Sequence, residues 1–318
     1  MSTPLKNYFL RLRWLRPSTW KGFIREQEQL RRECDQLRDD VQMLTEHLAR
    51  PYRAAMPHFA GARKNPLNEH ELRVFSQFGE DGILLYLFSL LGVERKTFVE
   101  FGCGHGAECN TANLSLTLGW RGLLMDADET KADRAQQFYI GQLGEHAGRV
   151  EILACRITKD NINTLFEGHA PRHGLDLLSI DIDGNDYWVW RAIEAVKPRI
   201  VVIEYNSSLG PERSVTVPYK DGFDRFAEHP SGYYHGASLA ALTHLAHAKG
   251  YLLAGCESHG ANAFFVRRDV AEGNLEEMPV AEAFFDLERR RNQHDLETQF
   301  ELIRHLGFVV VGEDGEPA

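Results

Sequence analysis

Residues 97–106, TFVEFGCGHG, decide how the chain is organised, because an apolar run of strand length ends there in a glycine-rich turn. Apolar β-branched and aromatic residues favour a buried strand, and glycines permit a tight turn whose backbone closely approaches a ligand. Amphipathic stretches typical of helices follow the first runs. Similar apolar runs recur at 121–127, 149–155, 175–182, 199–206, 251–258 and 261–268.

These runs predict an α/β fold with a doubly wound, mostly parallel seven-stranded sheet. Continuous apolar strands that alternate with helices are typical of parallel sheets covered on both faces. Only the residues HGA (259–261) separate the last two runs, so they form a hairpin and the last strand is antiparallel.

The N-terminal part of the chain differs in composition from this domain. Residues 1–25 contain six bases, no acid and five aromatic residues. Leu30, Leu37 and Leu44 are seven apart and predict a short coiled coil that makes the chain a homo-oligomer. The alternative is one amphipathic helix packed on the domain. The predicted segments are a basic aromatic segment (1–25), a coiled coil (26–50), a linker (51–69), the α/β domain (70–270) and a C-terminal helical extension (271–318).

Charge and cysteine content limit the classes of function. Outside residues 1–25, 30 bases face 46 acids, so the body repels a phosphate backbone and we expect no nucleic-acid partner. The five cysteines form no CxxC pair, which favours a reducing, cytoplasmic location. No apolar run is long enough for a membrane-spanning helix. The bases and rings of residues 1–25 suit peripheral contact with the inner face of the cytoplasmic membrane, and the alternatives are an ordinary basic tail or an organelle-targeting peptide.

Residues at the ends of the first two strands predict a ligand site, because open parallel sheets bind ligands outside the carboxyl ends of their strands. The first strand carries Glu100, with Gly102 and Gly104 after it, and the second ends at Asp126. An acid in that second position can bind a ribose diol. The G-x-G-x-G spacing differs from the G-x-G-x-x-G of NAD-binding turns. A tight turn without a ligand explains the glycines but not both acids.

The same stretches resemble a known family. FVEFGCGHG (98–106) and GLLMDAD (122–128) are similar to the first two motifs of class I S-adenosylmethionine-dependent methyltransferases, and the antiparallel last strand fits that fold. Together with SQFGEDGIL (76–84) and LLSIDIDGNDYWVW (177–190), they resemble the FkbM-type methyltransferases. Many members methylate hydroxyls of sugars and other small molecules. The resemblance covers residues 70–270 and implies S-adenosylmethionine as the cofactor.

The resemblance also implies roles for single residues. Asp126 would hold the ribose hydroxyls, and Gln77 with Asp81 would close over the methionine end of the cofactor. The stretch CRITKDN (155–161) departs from the family pattern beside adenine, so no adenine contact is predicted. The cofactor-binding residues that the resemblance implies are Gln77, Asp81, Glu100, Gly102, Gly104 and Asp126.

Three acids crowd the end of the fourth strand, which in this fold lies beside the transferred methyl group. Asp181 and Asp183 could take the proton of an acceptor hydroxyl or ligate a metal ion. Asp186 could equally cap the following helix. Glu204 and Asn206, on one face of the next strand, would lie beside these acids and complete an oxygen set suited to Mg²⁺.

His235 is the other candidate base, in a long loop (207–236) whose Gly, Pro and aromatic residues suit substrate recognition. The predicted function is O-methylation of a sugar hydroxyl in glycan or surface-polysaccharide biosynthesis, with a sugar or glycan as acceptor. The alternatives are an NAD-dependent oxidoreductase and a non-catalytic scaffold of methyltransferase fold assembled through the coiled coil. The candidate catalytic residues are Asp181, Asp183, Glu204 and His235.

Overall fold

The structure, a computed structural model, describes residues 27–32, 66–171 and 174–318. Residues 1–48 form one unit and residues 49–318 a second. Of the first unit, only an exposed helical stretch at 27–32 is described, and it falls within the predicted coiled coil. The predicted basic aromatic segment, the rest of the coiled coil and most of the linker lie outside the described residues.

A seven-stranded sheet forms the centre of the second unit. Its strands are β1 (Thr97–Phe101), β2 (Arg121–Asp126), β3 (Val150–Ala154), β4 (Leu177–Ile180), β5 (Ile200–Glu204), β7 (Tyr251–Cys256) and β8 (Asn262–Arg267). Their order is β3-β2-β1-β4-β5-β8-β7, with β1 to β5 parallel and β8 antiparallel to both neighbours. A separate two-stranded ladder pairs β6 (Val215–Thr216) with β9 (Val309–Val310).

Helices connect these strands, and none in the described ranges is long and apolar enough to cross a bilayer. The α-helices are α1 (Glu80–Leu91), α2 (Ala112–Leu116), α3 (Glu129–Leu143), α4 (Ile162–His169), α5 (Asp186–Ala192), α6 (Arg225–Glu228), α7 (Leu239–Lys249), α8 (Arg268–Ala271), α9 (Val280–Ala283), α10 (Glu288–Arg291) and α11 (Leu296–Ile303). Short 3₁₀ helices lie at Pro66–His70, Gly144–Arg149, Ser207–Leu209 and Arg304–Leu306.

The core lies on both faces of the sheet, which is why the strands are continuously apolar. Along β1, Val99 and Phe101 enter one buried cluster, whereas Phe98 enters a second cluster. Successive side chains of a strand point to opposite faces, so a strand covered on both sides needs apolar residues at every position. The predicted fold class is confirmed, because each of the seven predicted strands contains the observed strand.

Two of the predicted segments make contacts with the α/β domain. The packed unit already includes Leu67, which is fully buried in the core although it belongs to the predicted linker. The predicted C-terminal extension (271–318) contains short helices and packs against the α/β domain. Ala283, Ile303 and Val311 are buried, and β9 adds to β6. Short amphipathic helices cannot shield their apolar faces alone, so this segment folds back onto the α/β domain.

The parallel register brings the carboxyl ends of the central strands to one edge. Phe101 at the end of β1 pairs with Met125 of β2 on one side and with Ile180 of β4 on the other. Beyond β1, Gly102 turns at φ 72°, and its N–H donates to the carbonyl of Met125 at 2.9 Å. A Cβ on Gly102 would lie 1.7 Å from the carbonyl oxygen of Asp181. Two neighbouring strand ends therefore meet only because this residue has no side chain.

We expect Gly102→Ala to lower the free energy of unfolding by about 3 kcal/mol or more, because it adds a backbone clash to an unfavourable φ. Gly92→Ala is the matched control, since Gly92 has the same φ of 72° but open space around its Cβ position. There only the conformational cost of about 1 kcal/mol applies. Urea unfolding of both variants measures the difference, and equal losses would contradict the close approach at Gly102.

Candidate active site

Two clefts open at the carboxyl edge of the sheet and share two acids. The first, about 210 Å³, is lined by the segments that follow β1, β2, β3 and β4. The second, about 550 Å³, lies over the ends of β4 and β5 and is closed by residues before α1 and in α10. Asp181 and Asp183 line both clefts. A molecule in one cleft therefore meets a molecule in the other at these carboxylates.

Three of the residues that the resemblance assigned to the cofactor lie in or beside the first cleft. Gly102 and Asp126 line it, and the N–H of Gly104 donates to Asp126 Oδ2 at 2.8 Å. Asp126 Oδ1 accepts a second backbone N–H, from Asp128 at 2.9 Å. Each carboxylate oxygen has two acceptor positions, so Asp126 can still accept hydrogen bonds from a diol in the cleft. A Cβ on Gly104 would meet no atom within 4 Å, which leaves room for a ligand against the backbone.

Two acids implied as cofactor ligands have other partners. Glu100 is buried beneath the turn, where its oxygens accept the backbone N–H groups of Asn110 and Thr111 at 2.9 Å. Asp81 Oδ2 accepts three N–H groups from residues 74–76, so it fixes the loop before α1. Neither acid lines a cleft. Of the loop pair predicted at the methionine end, only Gln77 lines one, the second cleft.

Asp181, Asp183 and Glu204 form the carboxylate cluster at the junction of the clefts. One oxygen from each lies within 4.8 Å of the others, as the strand ends predict. Asp183 has φ 58°, a left-handed conformation that Asp tolerates better than most residues. Asp186 does not cap α5 from outside, because the helix begins at Asp186 itself. Its carboxylate instead accepts the N–H groups of Ile182 and Gly184 at 2.8 Å and holds the turn that presents the cluster.

Two carboxyl groups of the cluster, Asp181 and Glu204, have pKa values raised above the usual range. Burial raises the pKa of Glu204 to about 8, and the nearby Asp183 carboxylate adds to the rise. Burial also raises the pKa of Asp181 well above its usual value, with Glu204 as the next cause. Like charges that share a poorly hydrated site cannot all ionise at neutral pH. The junction therefore carries a proton that it can exchange near physiological pH.

Two guanidinium groups, which the sequence did not predict, compensate the cluster. Arg225 of α6 donates to Asp183 Oδ1 and lies 3.9 Å from Glu204 Oε1. Arg290 of α10 is buried, and burial lowers its pKa to about 10, so it still carries its charge at neutral pH. Arg225 could be suspected from its place in the long loop 207–236. Arg290 lies in the run ERRR (288–291), which gives no sign that one arginine of three points inward.

His235, the second candidate base, lies beneath the cluster and lines neither cleft. Arg290 Nη2 is 2.7 Å from His235 Nε2, and a guanidinium group can only donate. Burial lowers the pKa of His235 well below its usual value, so the ring is neutral and its proton is assigned to Nδ1. That Nδ1 lies 3.6 Å from Glu204 Oε2, and both atoms are buried without a hydrogen-bond partner. A neutral imidazole whose acceptor nitrogen is occupied orients Glu204 and cannot take a proton from an acceptor.

The carboxylate oxygens of the cluster suit a divalent metal ion. Three carboxylate oxygens within 4.8 Å of one another are hard ligands of the kind that Mg²⁺ prefers. The residues therefore fit the ion, although Arg225 already provides a positive charge beside Asp183 and Glu204. Asn206 is not part of the set. Its amide group donates to the carbonyl oxygens of Tyr233 and His235, and its Oδ1 accepts from Arg290 at 2.7 Å.

The second cleft combines a flat aromatic surface with polar groups. The rings of Phe78 and His259 stack with centroids 4.6 Å apart at 16°. Gln77, Arg289 and Asn292 line the same cleft and offer amide and guanidinium groups. Ligand sites typically pair an apolar contact surface with a few such polar groups, and a hydroxyl-rich ring can use both.

The comparisons with known proteins add a likeness of fold. No family model matches the chain, and no curated protein matches it in sequence. The strand order, with β8 antiparallel between β5 and β7, defines the architecture of the sheet. The chain has a Rossmann-like fold.

Among the solved structures that resemble the chain are three crystallised with SAM or SAH. Magnesium protoporphyrin IX methyltransferase from Synechocystis PCC 6803, with bound SAM, is 14% identical over 59% of this chain and 77% of its own, with a TM-score of 0.39. An O-methyltransferase from Bacillus cereus, in complex with SAH, is 16% identical over 70% and 88%, with a TM-score of 0.37. The N-terminal domain of EvdMO1, with SAH bound, is 18% identical over 60% and 80%, also at 0.37. Likenesses at this level carry no argument about activity, which rests on the site.

We expect the stability of the protein to fall between about pH 4.5 and pH 8, because Glu204 keeps its proton in the folded state after the unfolded chain has lost it. In Glu204→Gln this contribution is absent. The free energy of unfolding of the wild type, minus that of the variant, should therefore be about 2–4 kcal/mol larger at pH 5 than at pH 8. Urea unfolding at both pH values measures it. Glu167→Gln controls for loss of a surface charge, and a pH-independent difference would contradict the raised pKa.

Proposed function

We propose that the chain is an S-adenosylmethionine-dependent O-methyltransferase whose acceptor is a sugar hydroxyl, with a role in glycan or surface-polysaccharide biosynthesis. The observation that carries this proposal is that two clefts meet at Asp181 and Asp183, beside Glu204, whose pKa is raised by burial to about 8. Methyl transfer to a hydroxyl needs a cofactor on one side, an acceptor on the other and a base between them. The site supplies a place for each.

The first cleft is the proposed cofactor site. S-adenosylmethionine, when bound, supplies a methyl group on a positively charged sulfur. Gly102 and Gly104 would lie against it, and the remaining acceptor positions of Asp126 would bind its ribose hydroxyls. The acids at the junction favour a positive charge there, whereas they would repel the diphosphate of a dinucleotide. This electrostatic argument disfavours the NAD-dependent oxidoreductase.

The junction would supply the base. A bound cofactor would supply its methyl group to the acceptor oxygen and leave as a neutral sulfide, and Glu204 would accept the hydroxyl proton. A pKa of about 8 makes Glu204 a stronger base than an ordinary carboxylate, at the cost of a smaller ionised fraction at neutral pH. Asp183 and Arg225 would orient the hydroxyl, and His235 would orient Glu204. A non-catalytic scaffold would gain nothing from such a cluster, whose burial destabilises the fold.

A metal-assisted version uses the same residues. Asp181, Asp183 and Glu204 would hold a Mg²⁺ ion, which would bind the acceptor hydroxyl and lower its pKa. Peripheral membrane contact through residues 1–25 and assembly through residues 26–50 stay predictions from the sequence. An acceptor that grows on a lipid carrier would make both of them useful to the enzyme.

The proposal is tested by incubating the full chain with methyl-labelled S-adenosylmethionine and a panel of acceptors: free sugars, methyl glycosides, catechols and fractionated cell glycans. Label in a base-stable ether on a sugar supports it. Label transferred to a catechol alone would support methyltransferase activity but contradict the sugar acceptor. Adding a chelator separates the two versions of the chemistry, because it inhibits only the metal-assisted one.

We expect calorimetry to show binding of S-adenosylmethionine and of its demethylated product. Asp126→Asn should weaken that binding by about 1–3 kcal/mol, because a buried hydroxyl loses a charged acceptor. Asp128→Asn is the control, since Asp128 is exposed and caps α3 through the N–H groups of Thr130 and Lys131. Tight binding of NADH without a signal for S-adenosylmethionine would overturn the proposed cofactor.

With the best acceptor, we expect kcat to rise as the pH increases through about 8, the pKa of Glu204. Glu204→Gln should lower kcat by roughly 10²–10⁴-fold and remove this dependence, because the amide cannot accept the proton. Cofactor affinity should stay unchanged. Glu288→Gln is the matched control, because Glu288 lines the same cleft outside the cluster. If Glu204→Gln keeps full turnover while Asp183→Asn loses it, the base is Asp183.

A further inference from the structure

A groove of about 410 Å³ lies at the edge of the sheet opposite the active site. It is formed where three neighbouring parallel strands, β3, β2 and β1, begin. Arg95, Arg121 and Arg149 line it, together with Glu151 and His169. The proposed methyl transfer uses none of these residues, and the active-site clefts share no residue with the groove.

The register of the sheet places the three arginines side by side. Arg121 pairs with Thr97, two residues after Arg95, and Gly122 pairs with Val150, so Arg121 and Arg149 occupy neighbouring positions. Adjacent strands are about 5 Å apart, which brings the backbone positions of these residues close together. The N–H of Arg121 donates to the carbonyl of Lys96 at 2.9 Å and joins the start of β2 to the start of β1.

The three guanidinium groups have no partners within the described part of the chain: none donates a hydrogen bond or pairs with a carboxylate. Arg199 shows what a structural arginine does at this end of the sheet, because it donates to the carbonyl of Leu91 at 2.8 Å and pairs with Glu94 at 3.0 Å. Glu151 pairs with none of the three arginines, since its carboxylate is 2.7 Å from His169 Nδ1, and one carboxylate can balance only one of three guanidinium charges. Uncompensated positive charge is therefore concentrated here on an otherwise acidic protein.

We propose that this groove binds a phosphate-bearing ligand. Guanidinium groups present forked donors that match the oxygens of a phosphate, and several in one groove match a diphosphate or a lipid headgroup. Gly122, Gly148 and Gly174 line the same groove, and no atom lies within 4 Å of a Cβ placed on Gly148. The acidic body on either side repels a long polyanion such as nucleic acid, so the ligand is small or is presented at a surface.

The test compares the full chain with the triple variant Arg95→Gln, Arg121→Gln and Arg149→Gln. The matched control is Arg134→Gln, Arg268→Gln and Arg304→Gln, three exposed arginines outside the groove that remove the same charge. Sodium pyrophosphate is titrated by calorimetry, and cosedimentation is measured with phosphatidylcholine vesicles with and without phosphatidic acid. Binding of S-adenosylmethionine and the unfolding midpoint show that each variant is folded.

We expect wild type and control to bind pyrophosphate and the triple variant to bind it at least about tenfold more weakly, because charge-assisted hydrogen bonds are lost. Binding of phosphatidic acid vesicles alone, lost in the triple variant but not in the control, supports the same site with a lipid headgroup as the source. Equal binding by triple variant and wild type, or no binding of either probe by the wild type, overturns the proposal. Failure of methyl transfer has no bearing on this result.

Discussion

The mutual compensation of three carboxylates and two guanidinium groups is the interaction on which the rest of the active site depends. Asp183 is exposed, whereas Glu204 is largely shielded from solvent, so its charge depends on the guanidinium group of Arg225 at 3.9 Å. Arg225 and Arg290 come from segments far from β4 and β5 in sequence. The loop 207–236 and the C-terminal residues must therefore fold over the sheet edge before the cluster can be buried. This requirement explains why the C-terminal segment belongs to the domain.

The acids at the sheet edge fall into two groups with different environments. Glu100, Asp81 and Asp186 accept backbone N–H groups, and in this way they hold the turns from which the clefts are built. Asp181 and Glu204 accept no such backbone bonds among the described contacts, and Glu204 has Arg225 as its charged neighbour instead. The carboxylates of the first group thus support the turns that present the second group in a fixed geometry. The stability of the first group thus permits the unfavourable burial of the second.

The position of the clefts follows from the reversal of strand order. The chain proceeds outward from β1 through β2 to β3, then returns to the other side of β1 with β4 and β5. The segments that leave β1 and β4 therefore diverge and open the edge between them, as in other doubly wound sheets. The close approach of Gly102 to the carbonyl of Asp181 fixes the floor of this opening. The proposed cofactor and acceptor sites share a wall because both are built on β4.

The sequence alone determined the seven strands, the antiparallel β8, and the meeting of Asp181, Asp183 and Glu204. Strands are recognised from their neighbouring residues, and parallel strands have their carboxyl ends at one edge of the sheet. The sequence also placed Gly102 and Asp126 at one cleft. Tertiary structure alone decided that Glu100 and Asp81 accept backbone N–H groups. It also decided that His235 lies beneath Glu204, and that Arg225 and Arg290 compensate the charge of the cluster. An acid or arginine has the same side chain in every context. Its role is set by the partners that long-range folding brings within reach, and no local pattern in ERRR (288–291) encodes which arginine turns inward.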